Sequence, residues 1–253
     1  MKLKWKKQIE TQLAETKLAW DEIRKLSSER KNRFLKRAAQ ELLRNQSAIL
    51  RANRKDVAAA RQDSLSAAML DRLTLTPKRI EAIAAGVKAV AGLKDPVGAT
   101  QASWKRPNGL KISKVSVPIG VILIIYESRP NVTVECAALC FKSGNAAILR
   151  GGRESFHTNQ ALAAVLKKAL KLEKLPEAAI TLIATTDREA VDFLLKRDKD
   201  IHLVIPRGGE TLIRKVVELS RIPVIKHYQG ICHVYVDKKA DFIKAEAIVL
   251  NAK

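Results

Sequence analysis

Two Arg-Gly-Gly triplets are the residues best suited to holding an anion. Arg150-Gly151-Gly152 follows the apolar run 146–149, and Arg207-Gly208-Gly209 follows the apolar run 201–205. A helical segment comes after each. Glycine lets the backbone approach a ligand closely, and a helix amino terminus offers unpaired N–H donors. A guanidinium beside such donors adds charge matched to phosphate. A third polar turn, Glu127-Ser128-Arg129-Pro130-Asn131, follows the β-branched run 121–125. A single Arg-Gly-Gly reads better as a tight strand-to-helix turn than as a ligand mouth. Two in register argue for two mouths on one sheet edge, able to hold both ends of a dinucleotide. Neither GxGxxG nor GxxxxGK[ST] occurs, so the usual Rossmann fingerprint and the P-loop are both missing.

The thiols and imidazoles are less suited to chemistry. Cys136, Cys140 and Cys232 are odd in number and have apolar neighbours, which reads as reduced core thiols and not a disulfide framework. Cys136 and Cys140 lie four apart on one helix face directed at the core. Cys232 opens a predicted strand. His227, Cys232 and His233 do not form a zinc-ligand pattern, so no metal site is expected.

The elements that must position the glycine turns follow from periodicity. Residues 5–62 predict three helices. Ser27 or Ser28 caps the second, and the third covers 47–62. Thr76-Pro77 is an N-cap followed by proline at the first helical position, and that helix runs to about 93. Trp104 and Ile112 flank Pro107-Asn108-Gly109, a hairpin signal within 99–117, with polar sides that predict a protruding arm. Beyond 120, strands are predicted at 121–126, 146–149, 179–184, 201–205, 223–226 and 232–236. Helices are predicted at 131–142, 156–172, 187–196, 209–220 and 239–252. Repeated βα units of this length imply an α/β fold with a doubly wound parallel sheet and right-handed crossovers. The expected organisation is helices over 1–98, a β-hairpin arm over 99–117 and an α/β cofactor domain over 118–253.

Composition limits the function classes. The chain has 253 residues, 47% of them apolar, enough for a full core. No apolar run approaches the ~20 residues of a membrane span, and the basic amino terminus has no signal-peptide core, so a cytoplasmic protein is expected. The formal net charge of +21 favours anionic partners. Aromatic residues for base stacking are few, and no RRM, KH or zinc-finger spacing appears. Nucleic acid or an acidic partner is therefore the alternative to a phosphorylated cofactor, with the chain then a non-catalytic basic binding module.

Longer runs carry a resemblance. VPIGVILIIYESRPNVTVECAALCFKSGNAAILRGGRES, LIATTDREAV, VIPRGGETLI and PVIKHYQGICHVYVDKKAD, with DRLTLTPKRI and DPVG upstream, are similar to the γ-glutamyl phosphate reductases, also called glutamate-5-semialdehyde dehydrogenases. These belong to the aldehyde dehydrogenase superfamily. The resemblance implies reduction of γ-glutamyl phosphate to glutamate semialdehyde with NADPH in proline biosynthesis, and a homo-oligomer built through an arm. It places Ser128 and Pro130 in the first cofactor-contacting turn and Arg150 near the adenosine ribose, within the Arg150-Gly151-Gly152 mouth. It places Gly208, Gly209 and Glu210 beside the diphosphate and nicotinamide. Arg153 falls where NAD-preferring relatives tend to carry a glutamate facing the ribose 2′-hydroxyl. A cation there suits a 2′-phosphate, so NADP(H) is expected. Arg129 and Asn131 are candidates to face the substrate. The alternative gives Arg129 a salt bridge to Glu127 and makes Asn131 a helix N-cap. His227 lies where many aldehyde dehydrogenases carry a general-base glutamate, and a structural histidine is expected there.

The family's mechanism uses a cysteine thiolate that attacks the acyl phosphate. Phosphate leaves, and hydride resolves the thioester. In the family that cysteine follows shortly after an Asn-Ala-Lys run, and here Asn251-Ala252-Lys253 ends the sequence. No catalytic residue is therefore assigned, the catalytic domain is expected to be absent, and the 253 residues are expected to be inactive alone.

Overall fold

The computed structural model describes residues 2–226 and 232–252. Its amino-terminal third is helical: α1 (Lys2–Ile23), α2 (Ser28–Arg44), α3 (Gln46–Gln62), α4 (Ala67–Leu73) and α5 (Pro77–Gly92). Three of these start on side-chain caps. Ser27 Oγ accepts the Arg30 N–H, Ser66 Oγ the Met69 N–H, and Thr76 Oγ1 the Arg79 N–H. Each cap satisfies one orphan donor of a first turn. In α2, Phe34, Leu35, Ala38, Ala39 and Leu42 are all buried on one stripe. The short helix α4 was not expected. Its seven residues bury only Leu73 and are too few to show a period.

A buried ionic contact ties α2 to the segment between α5 and the hairpin. The Lys31 ammonium, only 1% exposed, lies 2.9 Å from an Asp95 carboxylate oxygen. That carboxylate also accepts the Ser28 hydroxyl and the Val97 N–H. Nearby, the buried Lys142 Nζ donates to Asn32 and to the Ala91 carbonyl. Two lysines are thereby satisfied inside a mostly apolar layer.

The hairpin forms as expected. Strands β1 (Thr100–Lys105) and β2 (Lys111–Val115) pair antiparallel, with Trp104 opposite Ile112. The Arg106 N–H donates to the Leu110 carbonyl across the turn, where Gly109 takes φ +90°. Every residue of β1 is exposed, and among the described residues neither strand joins another sheet.

The sheet is built from β3 (Val121–Tyr126), β4 (Ala146–Arg150), β5 (Ile180–Leu182) and β6 (Leu203–Arg207) in the order β5-β4-β3-β6, all parallel. Helix α6 (Asn131–Lys142) links β3 to β4, α7 (Phe156–Leu172) links β4 to β5, and α8 (Glu189–Leu194) precedes β6. Helix α9 (Glu210–Leu219) comes after β6. All six residues of β3 are buried, as a central parallel strand requires. The chain winds from β3 through β4 to β5, then returns to the other side of β3 as β6. The order therefore switches between β3 and β6. Gly120, at φ +137°, opens β3 against the His202 ring, which accepts the Val121 N–H at 3.0 Å.

The doubly wound parallel sheet is thus present, but among the described residues it has four strands where six were predicted. Of the 223–226 segment only Val224 makes a bridge, to Val204. Residues 232–236 form no strand, so Cys232 does not open one. Their alternating apolar side chains stand exposed, with no neighbouring strand among the described residues to complete a ladder. The 179–184 strand shortens to 180–182, and the 201–205 strand shifts to 203–207. Helix α10 (Phe242–Ala252) buries none of its residues.

Replacing Asp95 with alanine leaves the Lys31 ammonium buried without its partner. A loss of about 3 kcal/mol is expected from urea denaturation at neutral pH. Burial pushes the Asp95 carboxyl up, but Lys31, Ser28 and Val97 outweigh it, and its pKa lies below the ordinary aspartate value. This contribution is therefore full above about pH 4 and is lost as pH falls through the lowered native value. Unchanged stability in D95A would contradict this reading.

Candidate functional site

Parallel strands put all their carboxyl ends on one side. In register, Ile125 of β3 lies beside Arg150 of β4, and Tyr126 of β3 beside Arg207 of β6. Gly151-Gly152 and Gly208-Gly209 therefore leave the same edge, on either side of Glu127-Ser128. The two mouths expected from sequence are in register, and the crevice between β3 and β6 lies at the switch point.

Carboxylates of the chain hold the donors there. Glu127 Oε2 accepts the Gly209 N–H at 2.9 Å, at the start of α9. Glu154 Oε1 accepts both the N–H and the hydroxyl of Ser128, the latter at 2.8 Å. Ser128 sits at φ +38°, unusual for a residue with a Cβ. A Cβ added to Gly208 would lie 2.5 Å from Glu127 Oε2, and one added to Gly152 would collide with the Glu154 carboxylate. Both glycines thus give a carboxylate close access to the backbone. A carboxylate on amide donors at a helix start occupies the kind of position that phosphate takes elsewhere.

Behind β3 and β4 a buried chain of hydrogen bonds fixes the first mouth. Tyr126 and Thr133 share a hydrogen bond of 2.6 Å. Thr133 reaches Asn159 at 2.9 Å, and the Asn159 amide donates to Ser155. Gly151 lies against that amide with no room for a side chain. One expectation fails here. The first-turn N–H groups of α7 are not open, because His157 and Thr158 donate to the buried Asp56 carboxylate of α3. The aspartate gave no sequence signal, since its partner lies about a hundred residues away.

The remaining candidates divide. Arg150 points its guanidinium at the carbonyls of Gly151, Thr186 and Asp187, so it braces the loop after β5 and is not free at the edge. Burial pulls its pKa below the ordinary arginine value, with Glu154 opposing. Arg153 forms an exposed pair with Asp63 at 3.1 Å, beside a cavity of about 390 Å³ that includes Phe156, His157 and Thr186. Glu210 pairs with Arg214 one turn on. Pro130 is buried at the start of α6. Asn131 is not an N-cap: it is the first residue of α6, and its amide donates to Glu135 at 2.9 Å. No Arg129–Glu127 salt bridge is present among the described residues, because the Glu127 carboxylate turns to Gly209. Arg129 and Arg207 instead line a cleft of about 420 Å³ with Ser128, Gly208 and Gly209. Arg72 of α4 joins them, a residue that periodicity could not place.

Among the described residues no group of His, Cys, Asp and Glu could hold a metal ion. His227 lies outside the described residues. Burial raises the Cys136 thiol to about 11, and burial also pushes the fully enclosed Cys140 thiol up. Neither is a thiolate at neutral pH.

A parallel sheet with glycine turns and arginines beside its switch point defines an open α/β domain with its crevice at the carboxyl ends of the strands, where such sheets take ligands. The chain belongs to the aldehyde dehydrogenase family, whose model matches residues 1–253. The γ-glutamyl phosphate reductase of Salinibacter ruber is 51% identical over 97% of this chain, which covers 56% of that relative. That of Opitutus terrae is 56% identical over 90% of this chain and 53% of its own length. The crystal structure of the Thermotoga maritima γ-glutamyl phosphate reductase superposes with TM-score 0.88 at 42% identity, over 96% of this chain and 58% of that one. The Saccharomyces cerevisiae γ-glutamyl phosphate reductase gives TM-score 0.80 at 37% identity, over 96% and 62%. The chain spans somewhat more than half the length of these relatives.

Thiol titration of the native chain checks the cysteine assignment. The exposed Cys232 is expected to react first with an aromatic disulfide reagent at pH 8, Cys136 far more slowly, and Cys140 only after denaturation. Rapid modification of Cys140 in the folded chain would contradict its enclosure.

Proposed function

We propose that this chain is the NADP(H)-binding part of a γ-glutamyl phosphate reductase, serving the reduction of γ-glutamyl phosphate to glutamate 5-semialdehyde and phosphate in proline biosynthesis. The observation that carries the reading is the shared edge of the two glycine turns, with amide donors already on carboxylates. The whole-chain likeness to the reductases supports it. A nicotinamide cofactor supplies hydride when bound.

The residues present fit that group. Ser128 and Gly209 offer N–H donors to phosphate once Glu154 and Glu127 step aside. Gly151, Gly152 and Gly208 leave the backbone open to close approach. Arg207 and Arg129 supply charge beside the donors. Arg153 reads the 2′-phosphate in exchange for its exposed partner Asp63, whose pairing is weak. Arg150 acts through the loop it braces, and Glu210 lies beside the nicotinamide end. Arg129 and Asn131 face the substrate. Residues 1–98 cover the cofactor domain 118–253, and the arm 99–117 mediates homo-oligomerisation in a cytoplasmic enzyme. Among the described residues no helix is long and apolar enough to cross a membrane, which is consistent with that setting. We assign the acyl-transfer role to none of Cys136, Cys140 and Cys232, so the 253 residues bind cofactor without turning it over.

Fluorescence titration tests the reading. The chain is expected to bind NADPH more tightly than NADH, and Arg153→Glu to cancel the preference by about tenfold or more, as loss of one charge-assisted contact implies. Equal affinity for both nucleotides before and after would remove Arg153 from the account. Absence of NADPH binding, with salt-labile binding to DNA, would favour the basic-module alternative instead.

A further inference from the structure

Two cavities meet at the same pair of guanidinium groups. One is the cleft at the switch point, lined by Ser128, Arg207, Gly208 and Gly209. The other, about 390 Å³, lies between α4, α5 and α6 and includes Leu75, Ile83, Asn131 and Glu135. Arg72 and Arg129 are the residues common to both linings. The second cavity also holds Asp71 and Arg79, but these pair with each other at 2.7 Å and cancel. Neither Arg72 nor Arg129 has a side-chain hydrogen bond or ion pair among the described residues. Glu135 accepts the Asn131 amide on one oxygen, and its second carboxylate oxygen takes no hydrogen bond among the described residues. The chamber therefore presents two uncompensated cations, one carboxylate and an apolar wall from the buried Leu75 and Ile83.

That combination matches one ligand chemistry. Arginine pairs bidentately with carboxylate, and a carboxylate accepts from ammonium. An apolar wall suits a short methylene chain. We propose that the second cavity seats the α-amino-acid head of the substrate, with its carboxylate on Arg72 and Arg129 and its ammonium on Glu135, so that the acyl phosphate end points toward the nicotinamide end of the neighbouring glycine cleft. Arg72 is then a specificity-determining residue. This rests on the reductase reading above and adds to it the place and the residues that recognise the amino acid.

Calorimetry on the full 253-residue chain tests it, with L-glutamate and glutarate as stable probes and NADPH as a separate titrant. Wild type binds L-glutamate more tightly than glutarate, which has no ammonium. Arg72→Gln weakens both probes by about tenfold or more. Glu135→Gln weakens L-glutamate and leaves glutarate unchanged, a split that a structural role would not produce. Both variants keep wild-type NADPH affinity and thermal midpoint. The proposal is overturned if wild type fails to bind L-glutamate or binds the two probes equally, if R72Q binds them as wild type does, or if R72Q loses NADPH in proportion. Failure of NADPH binding alone, with the glutamate results as stated, counts against the cofactor reading and leaves this one standing.

Discussion

The site depends on β3 being paired on both sides and buried on both faces. Val121, Leu123 and Ile124 are at most 1% exposed. Burying each such side chain is worth about 1.5–3 kcal/mol, so the strand has no competing position at a sheet edge. Because its two neighbours run parallel to it, β4 and β6 end at the same level. The register then fixes Arg150 and Arg207 beside Ile125 and Tyr126. The turn that leaves β3 is placed between two glycine turns by apolar packing alone. Polar chemistry at the edge is a consequence of an apolar strand in the middle.

What the edge holds is a set of amide donors that do not stay unpaired. Glu127 takes Gly209, Glu154 takes Ser128, and Asp56 takes the first turn of α7. The three carboxylates differ in a way that sorts structural from exchangeable contacts. Asp56 is 4% exposed and joins α3 to α7, so removing it would strand buried donors. Glu127 and Glu154 border the open edge and can regain water when displaced. For the proposed cofactor, phosphate in place of Glu127 and Glu154 conserves the hydrogen-bond count. Net binding then falls to Arg129 and Arg207 beside the donors and to Arg153.

Much of this arrangement was legible in the sequence. The β-branched run 121–125, the helical segment 131–142 and the two Arg-Gly-Gly triplets placed β3, α6 and both mouths. Gly144 takes φ +74°, and the Asn145 N–H closes back on the Cys140 carbonyl, as a glycine stop predicts. Illegible were contacts between residues far apart in the chain. The contacts of Asp56 with the first turn of α7, of Asp63 with Arg153 and of Arg72 with the cleft beside Arg129 leave no periodic trace. The strand expected at 232–236 failed for a related reason. Alternation marks a segment able to pair, and pairing needs a neighbour that local sequence does not specify. Arg129 and Glu127 are close together in one turn, yet tertiary geometry sent the carboxylate to Gly209.

The central claim is that the two glycine turns act as one cradle. The most direct measurement is the amide nitrogen–proton spectrum of the isotope-labelled chain during NADPH titration. Resonances of Ser128, Gly152, Gly208 and Gly209 should move together with one dissociation constant, as the bound phosphates replace Glu154 and Glu127. Movement confined to one turn, or shifts elsewhere with these four amides unchanged, would contradict it.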